Sequence, residues 1–236
     1  MDTSNVTGTP LESFVILTPR LIILPTPHAI SLISYRRLYA SLHADKGFCE
    51  MAFGVHFPPR QWSDDETRDV IQTRDIMRCW KIRGMGDFAV GLRPPEISMG
   101  SSNDSEILEG DDFEGNSRLN IQTLNDIVWV GYAGVRDGTT TSIPPREADD
   151  PPLPPWNEMV EIRYGVSPMY WGNGIAKEAA EAVIHWAVKA RGVTRFIAET
   201  ERPNKRSARA LEKLGFTRSG TNYWKQPSEI EWERRQ

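Results

Sequence analysis

Two glycines one residue apart, Gly172 and Gly174, separate an apolar run from an alanine-rich stretch, and this spacing suits the binding of an anion. Residues 160–167 predict a strand that Pro168 ends, and the residues from 175 onward predict a helix. The first N–H groups of a helix lack intrahelical partners, and the helix dipole adds partial positive charge there. Glycines without Cβ atoms let the backbone close on phosphate oxygens. A plain strand-to-helix connection is the alternative interpretation.

Two common phosphate-binding loops do not fit this stretch. The nucleoside-triphosphate loop requires Gly-Lys-Ser/Thr, whereas Gly174 is followed by Ile175 and Ala176. The dinucleotide fingerprint requires a third Gly or Ala three residues after the second Gly, and that position is Lys177.

The same residues resemble the acetyl-CoA signature of the GNAT N-acetyltransferases, Gln/Arg-x-x-Gly-x-Gly/Ala. Trp171 to Ala176 occupy its positions, and Trp171 departs from the usual Gln or Arg. The Tyr-Trp-Gly-x-Gly form is similar to the branch that includes the ribosomal-protein N-terminal acetyltransferases. The resemblance implies that the pantetheine arm pairs with the strand edge at Val166, for which core packing is the alternative. It also implies a pyrophosphate site, with Trp171 in the signature and backbone groups of Gly172, Asn173, Gly174, Ile175 and Ala176.

A second motif of that branch, Asn-x-x-Ser followed by Lys-x-Gly-Phe, is matched by Asn204, Ser207 and residues 213–216. The resemblance implies that the Asn contacts the CoA arm and that the Ser hydroxyl lies near the sulfur. Asn is also a favoured N-cap, so both roles are open for Asn204. In many family members a Tyr acts as the acid that protonates the thiolate, and this chain has Leu211 at that position. Ser207, water or no acid at all would then serve the thiolate.

Acetyl transfer to an amine also requires a proton acceptor, and Glu161 is the first candidate. It stands in Glu-Ile-Arg-Tyr, similar to the branch's Glu-Ile-Gly-Tyr, and burial would raise its pKa. The alternative is an ion pair with Arg163, two residues away on the same strand face. Three further carboxylates are weaker candidates for the base: Glu158, Glu199 and Glu201. His43 and His56 lie in an aromatic loop, and we do not favour either as a catalyst. Tyr223 is a candidate for the lining of the acceptor pocket.

Composition limits the class of protein. The chain has 236 residues and a net charge of −4, which disfavours general nucleic-acid binding. Residues 95–150 carry 12 acidic and 3 basic side chains, which leaves a mildly basic remainder. Two cysteines and no metal-ligand spacing predict neither disulfides nor a metal site. No run of 18 apolar residues exists, so we expect no membrane association and a cytoplasmic location, with the nucleus possible.

The predicted fold class is α/β (α+β), a GNAT acyl-CoA N-acyltransferase fold with a mixed central sheet flanked by helices. A single domain is expected over residues 14–226, after a disordered lead at 1–13 and before a C-terminal tail at 227–236. Residues 93–126 are polar and acidic and predict a mobile insertion. Six prolines in residues 137–157 predict a second, extended insertion. A closing hairpin is expected over residues 216–225.

The leading hypothesis is therefore an acetyl-CoA-dependent N-acetyltransferase that acts directly on a primary amine, either a protein N-terminus or a small molecule. A non-catalytic acyl-CoA-binding or regulatory protein of the same fold is the alternative, motivated by Trp171 and Leu211. A scaffold that recruits partners through its two insertions is a third hypothesis. The glycine turn would then be unexplained. The sequence does not indicate the acceptor or the oligomeric state.

Overall fold

The computed structural model describes residues 13–100 and 105–236, and these form one nine-stranded mixed sheet with helices on both faces. The expected lead at 1–13 therefore lies almost wholly outside the described residues. The strand order is β4-β1-β2-β3-β5-β6-β7-β9-β8. The strand bounds are β1 Phe14–Leu17, β2 Leu21–Pro25, β3 Asp87–Leu92, β4 Glu106–Glu109, β5 Trp129–Asp137, β6 Val160–Val166, β7 Arg195–Glu201, β8 Thr217–Arg218 and β9 Glu229–Arg235.

Six α-helices of six or more residues lie in the described part of the chain. They are α1 Ile33–Ala44, α2 Lys46–Phe53, α3 Asp64–Ile71, α4 Ile121–Asp126, α5 Ile175–Arg191 and α6 Lys205–Lys213. Helix α3 continues as a π-helix, Gln72–Trp80, and a last turn, Lys81–Arg83. Shorter α-turns cover Thr26–Ala29, Asp111–Glu114 and Gly138–Thr141, and 3₁₀ turns cover Ser117–Leu119, Trp156–Glu158 and Pro168–Tyr170.

Helix α5 packs its apolar stripe on the sheet as the sequence predicts. Its buried residues recur at helical spacing, and the Trp186 ring lies against Phe14, Phe88 and Trp80. Gly192 ends the helix in the left-handed conformation, with φ of 65°. This packing fixes the helix N-terminus at the glycine turn.

Strands β6 and β7 are parallel, whereas the other paired strands among the described residues are antiparallel. These strands pair only at Val160 with Phe196 and at Glu161 with Ile197. Beyond those two pairs β6 continues to Val166 and β7 to Glu201, so the strands diverge and leave a gap between their carboxyl ends.

The expectation of a mobile insertion at 93–126 is wrong for the described part of that segment. Strand β4 pairs with β1 over four residues, and Ile97, Leu119 and Leu124 are buried in the core. Although the segment is polar overall, the backbone of β4 pairs with the edge of β1, which would otherwise expose unpaired backbone groups. The segment is therefore part of the domain.

We expect Leu119→Ala to lower the free energy of unfolding by about 2–4 kcal/mol, because Leu119 is only 4% exposed and its removal leaves a cavity. Ile121→Ala is the matched control, since Ile121 is 58% exposed two residues away and should cost less than about 0.5 kcal/mol. Urea unfolding measures both. Equal midpoints for the two variants would mean that the segment does not pack as described.

The C-terminal expectations also require correction. Residues 229–235, expected as a tail, form β9, which pairs with β7 over seven residues and with β8. The buried Trp232 anchors this strand opposite Ala198. The hairpin expected over 216–225 is therefore not formed: Thr217 pairs with Glu233, and Tyr223–Lys225 is not a strand.

The proline-rich segment at 137–157 is largely irregular, as expected, but it is anchored to the rest of the domain. Ile143 is buried in a small cluster with Met159, Ile197 and Trp224. No helix among the described residues is long and apolar enough to span a bilayer.

Candidate active site

The gap between β6 and β7 opens into a cavity of about 630 Å³. Helix α2, strands β5 to β7, the glycine turn and helix α6 surround it. The cavity collects nine of the ten residues that the sequence singled out: Glu161, Val166, Trp171, Gly172, Gly174, Ile175, Ala176, Asn204 and Ser207. Asn173 does not line it; its carbonyl accepts a hydrogen bond from Arg20 at 2.8 Å.

The backbone of β6 presents hydrogen-bonding groups to this gap. Ser167 N donates to Val130 O at 2.8 Å, so alternate residues of β6 bond toward β5. The same alternation directs the N–H and C=O groups of Tyr164 and Val166 away from β5, into the gap. An extended amide chain can pair with such an edge.

Trp171 has a specific place at that edge. Its indole Nε1 donates to Val166 O at 2.7 Å, and the Arg206 guanidinium lies over its ring at 4.7 Å. The side chain therefore links β6 to α6 across the gap, which accounts for a Trp where the family signature usually has Gln or Arg. The Val166 N–H and the Tyr164 backbone groups remain available to a ligand.

The glycine turn leaves the backbone before α5 open to the cavity. Gly172 and Gly174 have φ of 85° and 77°, conformations that L side chains rarely adopt. A Cβ at Gly172 would meet nothing within 4 Å, so the turn is open on that side. Arg20, which the sequence analysis missed, bonds the Asn173 carbonyl and forms an ion pair with Glu178 at 2.6 Å. Basic side chains on α5 and α6 also line the cavity: Lys177, Arg206, Arg209 and Lys213.

Gly174→Val should weaken acetyl-CoA binding roughly tenfold or more, because a β-branched residue strains the left-handed backbone that presents the helix N-terminus. Gly192→Val is the matched control, since Gly192 has φ of 65° at the other end of α5 and nothing within 4 Å of its Cβ. Both variants should lose similar stability, and only the first should lose affinity in calorimetric titration. Equal acetyl-CoA affinity of the two variants would mean that the turn only connects β6 to α5.

Asn204 and Ser207 lie at the start of α6. The Asn204 side chain accepts from Ser207 N at 3.0 Å, which confirms its N-cap role, and donates to Met51 O at 2.7 Å. The Ser207 hydroxyl lies 3.1 Å from the Tyr164 hydroxyl, which reaches across from β6. Tyr164 is the last residue of the Glu-Ile-Arg-Tyr motif, and nothing in that motif predicted its contact with Ser207.

Glu161 is held by an arginine other than the one expected. Its carboxylate is 5% exposed and bonds Arg136 through two contacts of 3.0 and 2.8 Å, and Ser142 Oγ donates to it. Arg136 lies directly opposite on β5, whereas Arg163 pairs with Asp87 at 3.3 Å. Burial raises the pKa of Glu161, but Arg136 and Ser142 outweigh burial and hold that pKa below its usual value. A carboxylate so paired is a poor proton acceptor.

Glu199 has the opposite environment on the β7 side of the cavity. No described residue donates a hydrogen bond to its carboxylate. Burial, together with the negative charges of Glu229, Glu161 and Glu201, outweighs Arg136 and raises its pKa to about 8. A group that titrates near neutral pH and faces a cavity suits general base catalysis.

The histidines that we did not favour lie outside the cavity lining. His43 packs between Tyr39, Phe53 and Trp62, and burial lowers its pKa to about 4. His56 is exposed. Among the described residues no group of three or more His, Cys, Asp or Glu could hold a metal ion.

The fold is that of known acetyltransferases. The structure aligns over its whole length with an acetyltransferase from Agrobacterium tumefaciens str. C58 at a TM-score of 0.56 and 16% identity, covering 100% of both chains. It also aligns with RimL, a ribosomal L7/L12 α-N-protein acetyltransferase in complex with coenzyme A, at a TM-score of 0.57 and 14% identity, covering 94% of this chain and 97% of that one.

The sequence matches the profile of the acetyltransferase (GNAT) domain over residues 34–217. The chain therefore belongs to the GNAT acetyltransferase family, whose members take an acetyl group from acetyl-CoA.

Curated relatives match the chain over shorter stretches. An uncharacterized N-acetyltransferase of Bacillus subtilis (strain 168), YjdG, is 38% identical over 63 residues, which is 27% of this chain and 38% of the relative. The FsC-acetyl coenzyme A-N(2)-transacetylase of Aspergillus fumigatus is 29% identical over 89 residues, 38% of each chain. These matches span about two fifths of the relatives' own length.

Proposed function

We propose that the protein transfers the acetyl group of acetyl-CoA directly to a primary amine. The observation that carries the proposal is the cavity between β6 and β7, with a glycine turn and basic side chains at one side and the unpaired Glu199 at the other. Such a cavity offers both things that the reaction requires, a site for a polyphosphate carrier and a proton acceptor for the attacking amine.

The residues around the cavity fit acetyl-CoA. The N-terminus of α5 and the residues from Gly172 to Ala176 would hold the pyrophosphate, with Lys177 and Arg206 nearby. The strand edge at Tyr164 and Val166 would pair with the pantetheine amides, which directs the thioester toward the divergence point near Glu161.

In the transfer step, the amine nitrogen attacks the thioester carbonyl carbon. The C–S bond then breaks, its electron pair stays on sulfur, and the amine proton passes to Glu199, directly or through water. We assign the base to Glu199 rather than to Glu161, because Glu161 already shares its charge with Arg136. Glu161 and Arg136 form a fixed wall of the cavity.

The acceptor class follows from charge. Glu201 lines the cavity and forms no ion pair with a described residue, and Glu199 becomes charged above its pKa of about 8, so a cationic amine complements both. A protein N-terminus and a small amine both satisfy this requirement, and similar proteins named above include a protein α-N-acetyltransferase and an N(2)-transacetylase. A cytosolic location remains a prediction from the sequence.

Mass spectrometry of acetylated products tests the proposal. Acetyl-CoA and the protein are incubated with a panel of peptides that begin with Ser or Ala and with small amines. Transfer to any of them supports the enzyme. A thermal shift with acetyl-CoA and no transfer would favour the non-catalytic acyl-CoA-binding alternative, and no shift at all would favour the scaffold. Because Trp171 has a structural role at Val166, it gives the non-catalytic alternative little support.

A further inference from the structure

Acetyl transfer leaves negative charge on the sulfur of CoA, and the charge requires a hydrogen-bond donor if the leaving group is to depart from a partly dry cavity. We propose that the Tyr164 hydroxyl, positioned by Ser207, is that donor. The inference rests on the proposed function, because it places the CoA arm along β6.

The first observation is where the hydroxyl lies. Tyr164 lies in the part of β6 that no longer pairs with β7, so its backbone N–H and C=O groups face the gap. Its side chain lines the same cavity. Its ring crosses to the first turn of α6. There the hydroxyl lies 3.1 Å from Ser207 Oγ and donates to Ser207 O at 3.2 Å. A carrier arm that pairs with the Tyr164–Val166 edge passes this hydroxyl.

The second observation concerns the other residues with hydroxyl groups that line the cavity, which are Tyr132, Tyr170, Thr200 and Ser207. Tyr170 lies in the 3₁₀ turn before the glycines, beyond the end of β6. Leu211 places an apolar side chain on the inner face of α6, and it is buried. Thr200 Oγ1 accepts from Trp232 Nε1 and is buried with it. Tyr132 lies on β5, the strand next to β6, and the Arg163 guanidinium lies over its ring, 5.4 Å from the ring centre. Among the described residues that line the cavity, Tyr164 and Ser207 form the one pair of hydroxyl groups that bond each other.

Acidity decides what the hydroxyl does. Burial outweighs the Ser207 hydrogen bond and raises the pKa of Tyr164 to about 12. A thiol has a pKa of about 8.5, so full proton transfer from Tyr164 to the thiolate is uphill by several pKa units. The hydroxyl therefore keeps its proton, and its one O–H bond turns from Ser207 O to the sulfur as the C–S bond breaks, while Ser207 Oγ can donate to the Tyr164 oxygen. No proton leaves Tyr164, and the thiolate leaves the cavity or takes a proton from solvent.

The test measures the pKa of the CoA thiol while CoA is bound. The ultraviolet absorbance of the thiolate is followed against pH in the protein–CoA complex, as a difference from the complex with desulfo-CoA. Burial raises the pKa of both protein thiols, that of Cys79 to about 12, so they contribute little over the range. A hydrogen bond that stabilises the thiolate lowers the thiol pKa, and Tyr164→Phe should raise it by about one unit.

Three further measurements complete the experiment. Ser207→Ala should raise the thiol pKa less, because the Tyr164 hydroxyl remains and loses only its hydrogen bond with Ser207 Oγ. Tyr35→Phe is the matched control, since it removes a buried hydroxyl outside the cavity that has no hydrogen-bond partner, and it should change nothing. With acetyl-CoA and an accepted amine, Tyr164→Phe should lower kcat roughly tenfold while the Kd of acetyl-CoA stays within about twofold.

An unchanged thiol pKa in Tyr164→Phe overturns the inference, and so does an equal change in Tyr35→Phe. If Tyr164→Phe does not fold, an unchanged thiol pKa in Ser207→Ala overturns the positioning role and with it the inference. The thiol measurement needs only CoA, so a wild-type protein that shifts the thiol pKa but acetylates nothing would contradict the proposed function and leave the hydrogen bond standing.

Discussion

Glu199→Gln is expected to lower kcat about 10²–10⁴-fold, the usual range for the loss of one acid–base group. The substitution keeps the size of the side chain and removes its ability to accept a proton. Binding of acetyl-CoA should persist, because Glu199 lies on β7 and belongs neither to the glycine turn nor to the strand edge of β6. Steady-state kinetics and calorimetric titration measure the two quantities.

The pH dependence of that variant separates a base from a merely structural carboxylate. In the wild type, kcat/KM should rise with pH as Glu199 loses its proton near its pKa of about 8. The variant should lack this rise, so its deficit should be smallest at low pH, where Glu199 is protonated in the wild type as well, and should grow as the pH passes about 8. Glu212→Gln, at an exposed position on α6, is the control. A deficit that is constant over pH would assign the base elsewhere.

The Arg136–Glu161 pair should show the largest effect on stability. Arg136→Gln removes one partner of a buried ion pair and leaves Glu161 charged without compensation, which costs about 3–5 kcal/mol. The double variant Arg136→Gln/Glu161→Gln should lose less than the sum of the two single variants, because neither residue is then left charged and unpaired. Urea unfolding of the four proteins gives the coupling energy.

The sign of the pH effect follows from the pKa directions. The pKa of Glu161 is depressed in the folded state, so the pair stabilises the protein above the unfolded pKa of about 4.3, and that stability is lost as pH falls through the folded pKa. Glu199 acts in the opposite sense, since its raised pKa costs stability as pH rises from about 4.5 toward 8. Glu50→Gln, which breaks the exposed Lys46–Glu50 pair, should change stability by less than about 1 kcal/mol. If Arg136→Gln/Glu161→Gln loses as much stability as the two single variants together, Arg136 and Glu161 are not coupled.

Local signals in the sequence predicted the parts of the site that depend on backbone geometry. The glycine spacing predicted the turn at Gly172 and Gly174, and its positive φ angles confirm the requirement for glycine. The N-cap pattern located Asn204, and the periodicity of α5 located its buried face. These features are set by residues within one or two helical turns of each other, so the sequence shows them directly.

Contacts between distant residues were less predictable. The partner of Glu161 was expected two residues away, but register places Arg136 opposite it, 25 residues earlier in the chain. The role of Glu199 depends on Glu229 and Glu161, which the sheet alone brings near it. Strand β4 was not predicted because it lies in an acidic segment. Strand β9 alternates Ile230 and Trp232 with glutamates, which is a pattern typical of a strand, but the alternation is short and the segment is mostly charged. Each is stabilised by a neighbouring strand rather than by its own composition.

The short pairing of β6 with β7 has a mechanical consequence. Two residue pairs join six strands on one side to three strands on the other, so few backbone hydrogen bonds hold these two parts of the sheet together. Opening between β6 and β7 should therefore require less free energy than opening between β5 and β6, which pair over seven residues, and the amides of Tyr164 and Val166 should exchange with solvent early. A carrier arm in the gap takes the place of a missing strand. Binding of acetyl-CoA would then make the whole sheet more rigid, and release of CoA would restore the flexibility that lets the next acetyl-CoA enter.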